Sequence, residues 1–291
     1  MANLKEIRTR IATVKNTQKI TRAMYLVAAA RLRKAQENIL RMRPYAQSTL
    51  GVISSLAARV GSDTDVHPLL AQREEKRVML ICLTSDRGLA GGFNAQVTKQ
   101  AYKEYKALVA AGKDVEMVAI GRKGRDFFRR RGVKLERTFS NIYEDLSYPK
   151  ASDIGDAVIT EYTEGKLDAV YIAYNEFKSA ITQRVTLDRL LPISPAEVTD
   201  SDNGSTDYLY EPDQATILGR LLPLYVNVEL YRTLLESVAS EHGARMTAMD
   251  NATKNAKEMI RTLTLQANRA RQAAITTELT EIVSGAEALN G

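Results

Sequence analysis

The chain is poor in the residues that build large compact cores, disulfide bridges and membrane spans. Among its 291 residues there are no Trp, five Phe and one Cys. So few large aromatic side chains predict a limited compact core, as expected if much of the chain is elongated helix. No run of about 18 apolar residues occurs, so the sequence offers no candidate transmembrane helix. The single Cys82 excludes an intramolecular disulfide, and its place in the apolar stretch 78–83 predicts a buried, unreactive thiol.

The chain also lacks a pattern typical of a secretory signal. Residues 1–10 are basic and amphipathic, but no apolar run follows them. Because the same periodicity continues far beyond any plausible cleavage site, we interpret these residues as mature structure. Together with the single cysteine, this favours a compartment that faces the cytosol.

What the chain does contain is two long apolar seams with the spacing of a coiled coil. Their steps alternate between three and four residues, which averages the 3.5-residue period of a left-handed supercoil. Because neither helix can bury its seam against itself, we expect the two to pair antiparallel. The seams run through Leu4, Ile7, Ile11, Val14, Gln18, Thr21, Tyr25, Ala28, Leu32, Ala35, Ile39, Met42, Ala46, Ile53 and Leu56, and through Leu221, Leu224, Val228, Tyr231, Leu235, Val238, Arg245, Met249, Ala252, Ala256, Met259 and Leu263.

Between the seams, strand and helix patterns alternate, which predicts a mainly parallel sheet covered on both faces. The predicted fold class is therefore α/β, with a long antiparallel coiled coil of terminal helices and a central Rossmann-like domain. The predicted limits are 1–58 and 209–291 for one discontinuous rod and 75–195 for the central domain. Predicted strands cover residues 77–84, 115–120, 168–177 and 183–191, and the helices between them cover 92–111, 122–131 and 152–162.

Four polar residues, Gln18, Thr21, Arg245 and Gln266, stand at seam positions. Polar seam residues usually set helix register at a cost in stability, and the alternative is contact with an outer partner. The C-terminal helix is the longer one, so part of it is expected to project alone. Its apolar residues there then require a socket made of other chains. These residues are Leu263, Leu265, Ile275, Leu279, Ile282 and Val283.

The positive charge is concentrated near the N-terminus. Residues 1–43 hold eleven Lys or Arg against two Glu, a net charge of +9 in a chain of net charge +6. A solvated helix face explains this, and so does an acidic protein partner or nucleic acid.

No motif predicts catalysis. The glycine cluster at residues 85–92 follows a predicted strand and precedes a helix, where phosphate loops occur, but it has neither P-loop nor dinucleotide spacing. A tight turn that caps a helix is the favoured interpretation, and for the basic segment 121–126 a solvated turn. His67, His242 and Cys82 complete no metal set. The sequence therefore predicts no catalytic residue, no cofactor and no metal.

Four segments resemble the γ subunit of bacterial F-type ATP synthase. They occur in order at both ends and in the middle of the chain, and the last is specific to that family. They are residues 16–30 (NTQKITRAMYLVAAA), the glycine loop 85–92 with Phe93 and Asn94, residues 207–213 (DYLYEPD) and residues 270–285 (ARQAAITTELTEIVSG).

The resemblance implies a central rotor stalk that couples proton-driven rotation of a membrane ring to conformational change at catalytic β subunits. It implies no catalytic site and no cofactor in this chain, because nucleotide chemistry belongs to the α3β3 ring. The implied partners are the α and β subunits, the ε subunit and the membrane c-ring, with one copy of the chain per complex and no nucleic acid. The implied location is peripheral, at the cytoplasmic face of the bacterial plasma membrane.

The resemblance also implies site residues. Met24, Arg245, Gln272, Thr276, Arg87 and Ala90 match positions that contact the β subunits, and Tyr208 matches a foot position near the rotor ring. Arg8, Arg10 and Arg22 form a basic shaft face. We expect it to attract acidic β-subunit loops through weak contacts that do not hold the shaft in one position. The family often has Cys where Ala90 stands and a charged residue where Tyr25 stands. The loop 195–207 is too short for the redox-switch insertion of chloroplast-type γ subunits, and it lacks the cysteines of that insertion.

Two other classes explain parts of the sequence. A nucleic-acid-binding coiled-coil arm on an α/β body would account for the basic heptads, and it predicts salt-sensitive binding of RNA or DNA. A dinucleotide-dependent enzyme in the central domain predicts saturable cofactor binding, and the missing glycine fingerprint counts against it.

Overall fold

The computed structural model describes residues 4–60, 67–193 and 214–290. Its elements confirm the predicted α/β class with two long terminal helices. The helices are α1 (Leu4–Val60), α2 (Phe93–Ala110), α3 (Arg122–Arg129), α4 (Tyr148–Thr163) and α5 (Gln214–Asn290), with short 3₁₀ helices at Pro68–Leu70 and Ile142–Asp145. The strands are β1 (Arg77–Leu83), β2 (Asp114–Ile120), β3 (Leu135–Phe139), β4 (Ala169–Phe177) and β5 (Gln183–Leu191).

The five strands form one mixed sheet in the order β3-β2-β1-β4-β5. Strands β3, β2, β1 and β4 are parallel, and β5 joins the edge antiparallel to β4. The central strand β1 pairs on both sides, so that Val78 lies opposite Val115 and Ala169. The predicted mainly parallel sheet is therefore confirmed.

The central strand is buried on both faces. Its residues 78–83 are all inaccessible to solvent, which explains why the sequence there is a continuous apolar run rather than an alternating one. Cys82 lies in this run, and burial raises the pKa of its thiol far above the ordinary value. The thiol is consequently protonated at neutral pH and unreactive, as the sequence predicts.

Each face of the sheet packs against its own pair of helices. On one face, Leu80, Cys82, Met117 and Ala119 meet Val97 and Ala101 of α2 and Phe128 of α3. On the other face, α4 and α5 cover Met79, Ile81, Val118, Ile120 and Ile172. The buried residues of α5 in this cluster are Leu218, Leu222, Val226, Leu230 and Leu234. These five do not belong to the predicted C-terminal seam, but Val228 and Leu235 of that seam are buried as well, so α5 is buried on more than one face here.

One strand and one helix start differ from the sequence-based expectation. Strand β3 is not predicted, because residues 135–139 (LERTF) carry two charges among five residues, as edge strands commonly do. Helix α4 begins at Tyr148, four residues before the predicted start. Pro149 lies in its first turn, where the fixed φ angle of proline and its missing N–H are both tolerated.

Both long helices continue through a proline, Pro44 in α1 and Pro223 in α5. Pro44 therefore does not divide the first helix into two segments. Within the described residues, no helix is both long enough and apolar enough to cross a membrane.

The chain divides into two compact units. One consists of residues 29–245 and contains the sheet, and the other consists of residues 1–28 and 246–291. In the second unit the buried positions of α5 are Met249, Ala256 and Leu263, seven residues apart, and on α1 they include Ile7, Thr21 and Ala28. Seven-residue spacing is the repeat of a coiled coil, as the seams predict. The predicted domain limits 1–58, 75–195 and 209–291 remain a prediction.

The turn after β2 depends on a glycine. Gly121 has a φ of +100°, and a Cβ atom placed there would lie 2.1 Å from the carbonyl oxygen of Thr84. We expect G121A to lower the free energy of unfolding by about 3 kcal/mol or more, since backbone strain adds to a clash with main chain. The matched control is G112A, where φ is +77° but no atom lies within 4 Å. That variant should lose about 1 kcal/mol. Urea unfolding of the full chain measures both, and equal losses would contradict this account.

Candidate functional site

The glycine loop at the carboxyl end of β1 is held by side chains within itself. The main-chain N–H of Ser85 donates to Oδ1 of Asn94 at 2.9 Å, and the Ser85 hydroxyl donates to the carbonyl of Arg87 at 2.6 Å. Leu89 and Gly91 take left-handed φ angles of 64° and 55°. These contacts turn the chain sharply into α2, as the sequence predicts, but the N-cap residue Gly92 provides no side-chain cap for that helix.

An internal carboxylate occupies the start of α3. Asp86 accepts hydrogen bonds from the main-chain N–H of Arg122 at 3.0 Å and of Asn141 at 2.9 Å. A helix N-terminus attracts anions because its first N–H groups lack partners. Asp86 already supplies that negative charge, so the basic segment 121–126 does not form a phosphate cradle.

Helix α5 contributes a buried charged cluster beneath the glycine loop. The Arg245 guanidinium donates to Oε1 of Glu241 at 2.6 Å and to the carbonyl of Gly88 at 3.2 Å. Its other terminal nitrogen lies 3.3 Å from Nδ1 of His242. Burial raises the pKa of Glu241, an effect that Arg245 opposes. Burial first, and then Arg245 and Arg31, lower the pKa of His242 to about 4. The imidazole is therefore neutral at physiological pH.

The same stretch of α5 fills the crevice where doubly wound sheets usually hold ligands. Such ligands bind at the carboxyl ends of the strands where strand order reverses, which here is between β1 and β4. The Ser240 hydroxyl donates to the carbonyl of Asn175 on β4 at 2.9 Å. Ala244 packs with Ala90 and Phe93. A Cβ atom on Gly243 would lie 3.3 Å from the Cα of Ala180, so helix and loop are in close contact.

Three of the predicted contact residues lie in or beneath the glycine loop. Arg87 is exposed and forms an ion pair of 3.4 Å with Glu144, whereas Ala90 and Arg245 are buried. The structure thus brings Ala90 and Arg245 to the two sides of one packed junction. Among the described residues, no group of three or more His, Cys, Asp or Glu side chains could hold a metal ion.

The remaining predicted residues lie on the long helices of the other unit. Met24 is half-buried, Gln272 is exposed, and the exposed Thr276 hydroxyl donates to the Gln272 carbonyl at 3.0 Å. Arg8, Arg10 and Arg22 are all exposed, and the Arg22 guanidinium lies 4.9 Å from the centre of the Tyr25 ring. Tyr208 lies outside the described residues.

Within this unit, one polar seam position has a partner on the facing helix. The hydroxyl groups of Thr21 and Thr253 lie 2.8 Å apart. Gln18 is half-buried and Gln266 is exposed. Past Leu263, large apolar side chains of α5 become exposed in this structure. They are Leu265, Ile275, Leu279, Ile282 and Val283, each close to or more than half exposed.

Comparisons with known proteins decide the family. A family model described as ATP synthase matches residues 3–289. The ATP synthase gamma chain of Geotalea daltonii is 48% identical over 291 residues, and that of Chlorobaculum tepidum is 49% identical over 294 residues. The alignments cover 99–100% of this chain and of each relative. The chain belongs to the ATP synthase gamma chain family.

Chains in solved structures of mitochondrial ATP synthases share this fold. A chain from the central stalk and c-ring of Tetrahymena thermophila mitochondrial ATP synthase is 28% identical, with a TM-score of 0.60 over 80% of this chain and 99% of that one. A chain from the Euglena gracilis mitochondrial enzyme is 18% identical, with a TM-score of 0.68 over 98% of this chain and 94% of that one. The second likeness shows the fold alone.

The sequence of this gamma chain does not predict that Ser240, Glu241 and His242 belong to the site beneath the glycine loop. They carry no catalytic or metal-binding motif, and their partners lie more than 60 positions away in the chain, except for Arg245. The available signal is a run of three polar residues that ends just before Gly243. Such a run in a buried helix indicates specific polar contacts.

The low pKa of His242 makes stability depend on pH. The unfolded chain binds this proton below its ordinary pKa of 6.5, whereas the folded chain binds it only below about 4. The folded state therefore loses up to about 3 kcal/mol as pH falls from 6.5 to 4. We expect H242Q to remove this loss. The free energies of unfolding of both chains, measured at pH 7 and pH 4.5, test this, since the titration of Glu241 is common to both. An equal loss of unfolding free energy in both chains between pH 7 and pH 4.5 would contradict this prediction.

Proposed function

We propose that this chain is the central rotor stalk of an F-type ATP synthase. In this role it couples proton-driven rotation of a membrane ring to the conformational changes by which catalytic subunits make or hydrolyse ATP. The observation that carries the proposal is identity of about one half, over full length, to bacterial proteins named ATP synthase gamma chain. A rotor needs an elongated element and an asymmetric body, and the long helices and α/β unit supply both.

The chain has no catalytic site of its own in this proposal, and nucleotide chemistry belongs to the β subunits. The crevice that would hold a nucleotide in a doubly wound fold is filled by residues 240–245 of α5. The helix N-terminus next to it already binds the Asp86 carboxylate. Both features support a mechanical rather than a chemical role for the α/β unit.

The contacts with the α and β subunits are proposed to form in a socket that these subunits make. The exposed apolar side chains between Leu265 and Val283 support this, since apolar surface of this kind marks sites of protein association. Met24, Gln272 and Thr276 are assigned to the shaft contacts with the β subunits. Arg87 is accessible to a partner directly. Ala90 and Arg245 are buried, so they would act through the glycine loop that they support.

A second set of contacts is proposed to join the chain to the ε subunit and the membrane c-ring, with one copy of the chain in each complex. Tyr208 is assigned to the contact with the ring. The central stalk and c-ring named for the Tetrahymena relative support this arrangement. The complex would then lie at the cytoplasmic face of the bacterial plasma membrane, and this chain would be peripheral to the bilayer.

Assembly tests the proposed function. Expressed with its α and β subunits, the tagged chain should co-purify with both and restore ATP hydrolysis. The double variant L279S/I282S should weaken this assembly, because it removes exposed apolar side chains that a socket would bury. The matched control is I181S, since Ile181 is 80% exposed in the loop between β4 and β5. Recovery of the chain alone, or binding of RNA in place of these subunits, would contradict the proposal.

The basic shaft face gives a second prediction. R8Q/R10Q/R22Q should reduce ATP synthesis about twofold or more, because three exposed cations that attract acidic loops are worth roughly 0–1 kcal/mol each. The matched control is K99Q/K103Q/K106Q, which neutralises three exposed cations on α2. Synthesis in membrane vesicles and single-molecule torque measure the effect. Unchanged torque together with unchanged synthesis would contradict this role.

A further inference from the structure

The apolar contact between α5 and the sheet is nearly the same at each turn of the helix. Its fully buried residues recur every four positions and are four Leu and one Val: Leu218, Leu222, Val226, Leu230 and Leu234. Apolar contact is non-directional. A shift of the helix by four residues, about 6 Å along its axis, would place most of these side chains in the space of the next one. Apolar packing alone therefore specifies the register of α5 only weakly.

A polar network crosses this contact at one place. Nε of Arg232 donates to both carboxylate oxygens of Glu229 at 2.9 Å, and Nη1 donates to Glu236 at 2.5 Å. Nη2 donates to the hydroxyl of Tyr174 on β4 at 3.4 Å. That hydroxyl in turn donates to Asp188 on β5 at 2.8 Å. Arg232 thus links two carboxylates of its own helix to the last two strands of the sheet.

The geometry of this network is satisfied in one register. A guanidinium donates in a fixed planar fork, so a shift of 6 Å would leave the Tyr174 hydroxyl without it. Glu229 and Glu236, by contrast, lie on the same helix and would move with Arg232. The network also carries a cost, because the second oxygen of Glu236 is buried without a hydrogen-bond partner and burial raises the pKa of this carboxyl. Buried ionic groups that add little stability are best known for specifying register.

Other polar contacts of α5 are less specific for its position on the sheet. Ser240 donates to a main-chain carbonyl of β4, and carbonyls recur along a strand. Asn227 donates to Asp156, which belongs to α4 rather than to the sheet. Arg232 differs from these residues because it reaches a side chain of the sheet, Tyr174, while Arg245 and Gly243 add contacts with the loops at the strand ends.

We propose that Arg232 is a positioning residue that fixes the axial and rotational register of α5 on the sheet. Torque then passes between the α/β unit and the continuous helix α5 without slip. The mechanical part of this inference rests on the proposed function of the chain as a rotor stalk. The register itself does not, and it is measured separately below.

The decisive variant is R232M/E236L. Replacing a buried ionic network by apolar side chains of similar volume is often neutral or stabilising, and Glu229, which loses Arg232, keeps access to solvent, so the variant should fold with a Tm near that of the wild type. In membrane vesicles of the assembled enzyme, ATP hydrolysis should remain near wild type. Protons pumped per ATP hydrolysed should fall about twofold or more, because a displaced register of α5 then becomes populated. The number of protons pumped per ATP in R232K should lie between those of the wild type and R232M/E236L, because lysine keeps the positive charge but lacks the planar fork of donors. The matched control R220Q, at an exposed arginine of α5, should change neither rate.

Register is measured in the full chain by the distance between two spin labels. The labels are placed at D153C on α4 and G219C on α5, where a new side chain meets open space. Cys82 is buried in β1 and stays unlabelled. The otherwise wild-type chain should give one distance. R232M/E236L should add a second population displaced by several ångströms, as expected for a four-residue shift of about 6 Å.

The two measurements separate the possible failures. One unchanged distance in R232M/E236L, or an unchanged ratio of pumping to hydrolysis with normal assembly, would overturn the positioning role of Arg232. A fall in hydrolysis and pumping by the same factor would also overturn it, because that result indicates only lost stability. If the wild-type chain fails to assemble, the proposed function fails, and the distance measurement still decides the register.

Discussion

A helix cannot bury its apolar face against itself, and the way α5 meets this constraint shapes the rest of the structure. Between Leu218 and Leu234 it uses the sheet as its partner, and every fourth side chain there is fully buried. Each such side chain contributes roughly 1.5–3 kcal/mol relative to exposure. The C-terminal helix is therefore part of the core of the α/β unit, although it is far from β1 in sequence. The same continuous helix also supplies the seam of the other unit.

Because α5 continues past the sheet, it also fills the crevice at the carboxyl ends of β1 and β4. Residues that would face a ligand in a doubly wound fold here face Ser240, Gly243 and Arg245. Asp86 takes the place that an external anion would have at the start of α3. The glycine loop consequently binds a helix of its own chain. A Rossmann-like unit can therefore use its ligand crevice to hold a helix of its own chain.

In the other unit, burial is confined to a narrow seam. Residues seven apart are buried, and the Thr21 and Thr253 hydroxyl groups satisfy one another in an apolar setting. Outside the seam, both basic and apolar side chains are exposed. A shaft that turns within a sleeve needs many weak contacts rather than a few strong ones. Exposed ion pairs and small apolar contacts have the required low energies.

Much of the fold follows from local sequence. The continuous apolar run of β1, the seams of α1 and the long C-terminal helix are all readable, because periodicity reports which face of an element is buried. Strand β3 is not readable in this way, because its two charged residues interrupt the apolar pattern and its place in the sheet depends on pairing with β2. The segments that resemble the family predict the shaft residues, yet they carry no sign of the cluster at His242.

By itself, the sequence determined the elements other than β3, the class of the fold and the family, because each of these depends on residues close together in the chain. Only the tertiary structure decided that α5 fills the crevice, that Arg245 reaches Gly88, and that Arg232 reaches Tyr174. Each of these contacts joins positions more than 50 residues apart. Their energies depend on burial and direction, which periodicity does not encode.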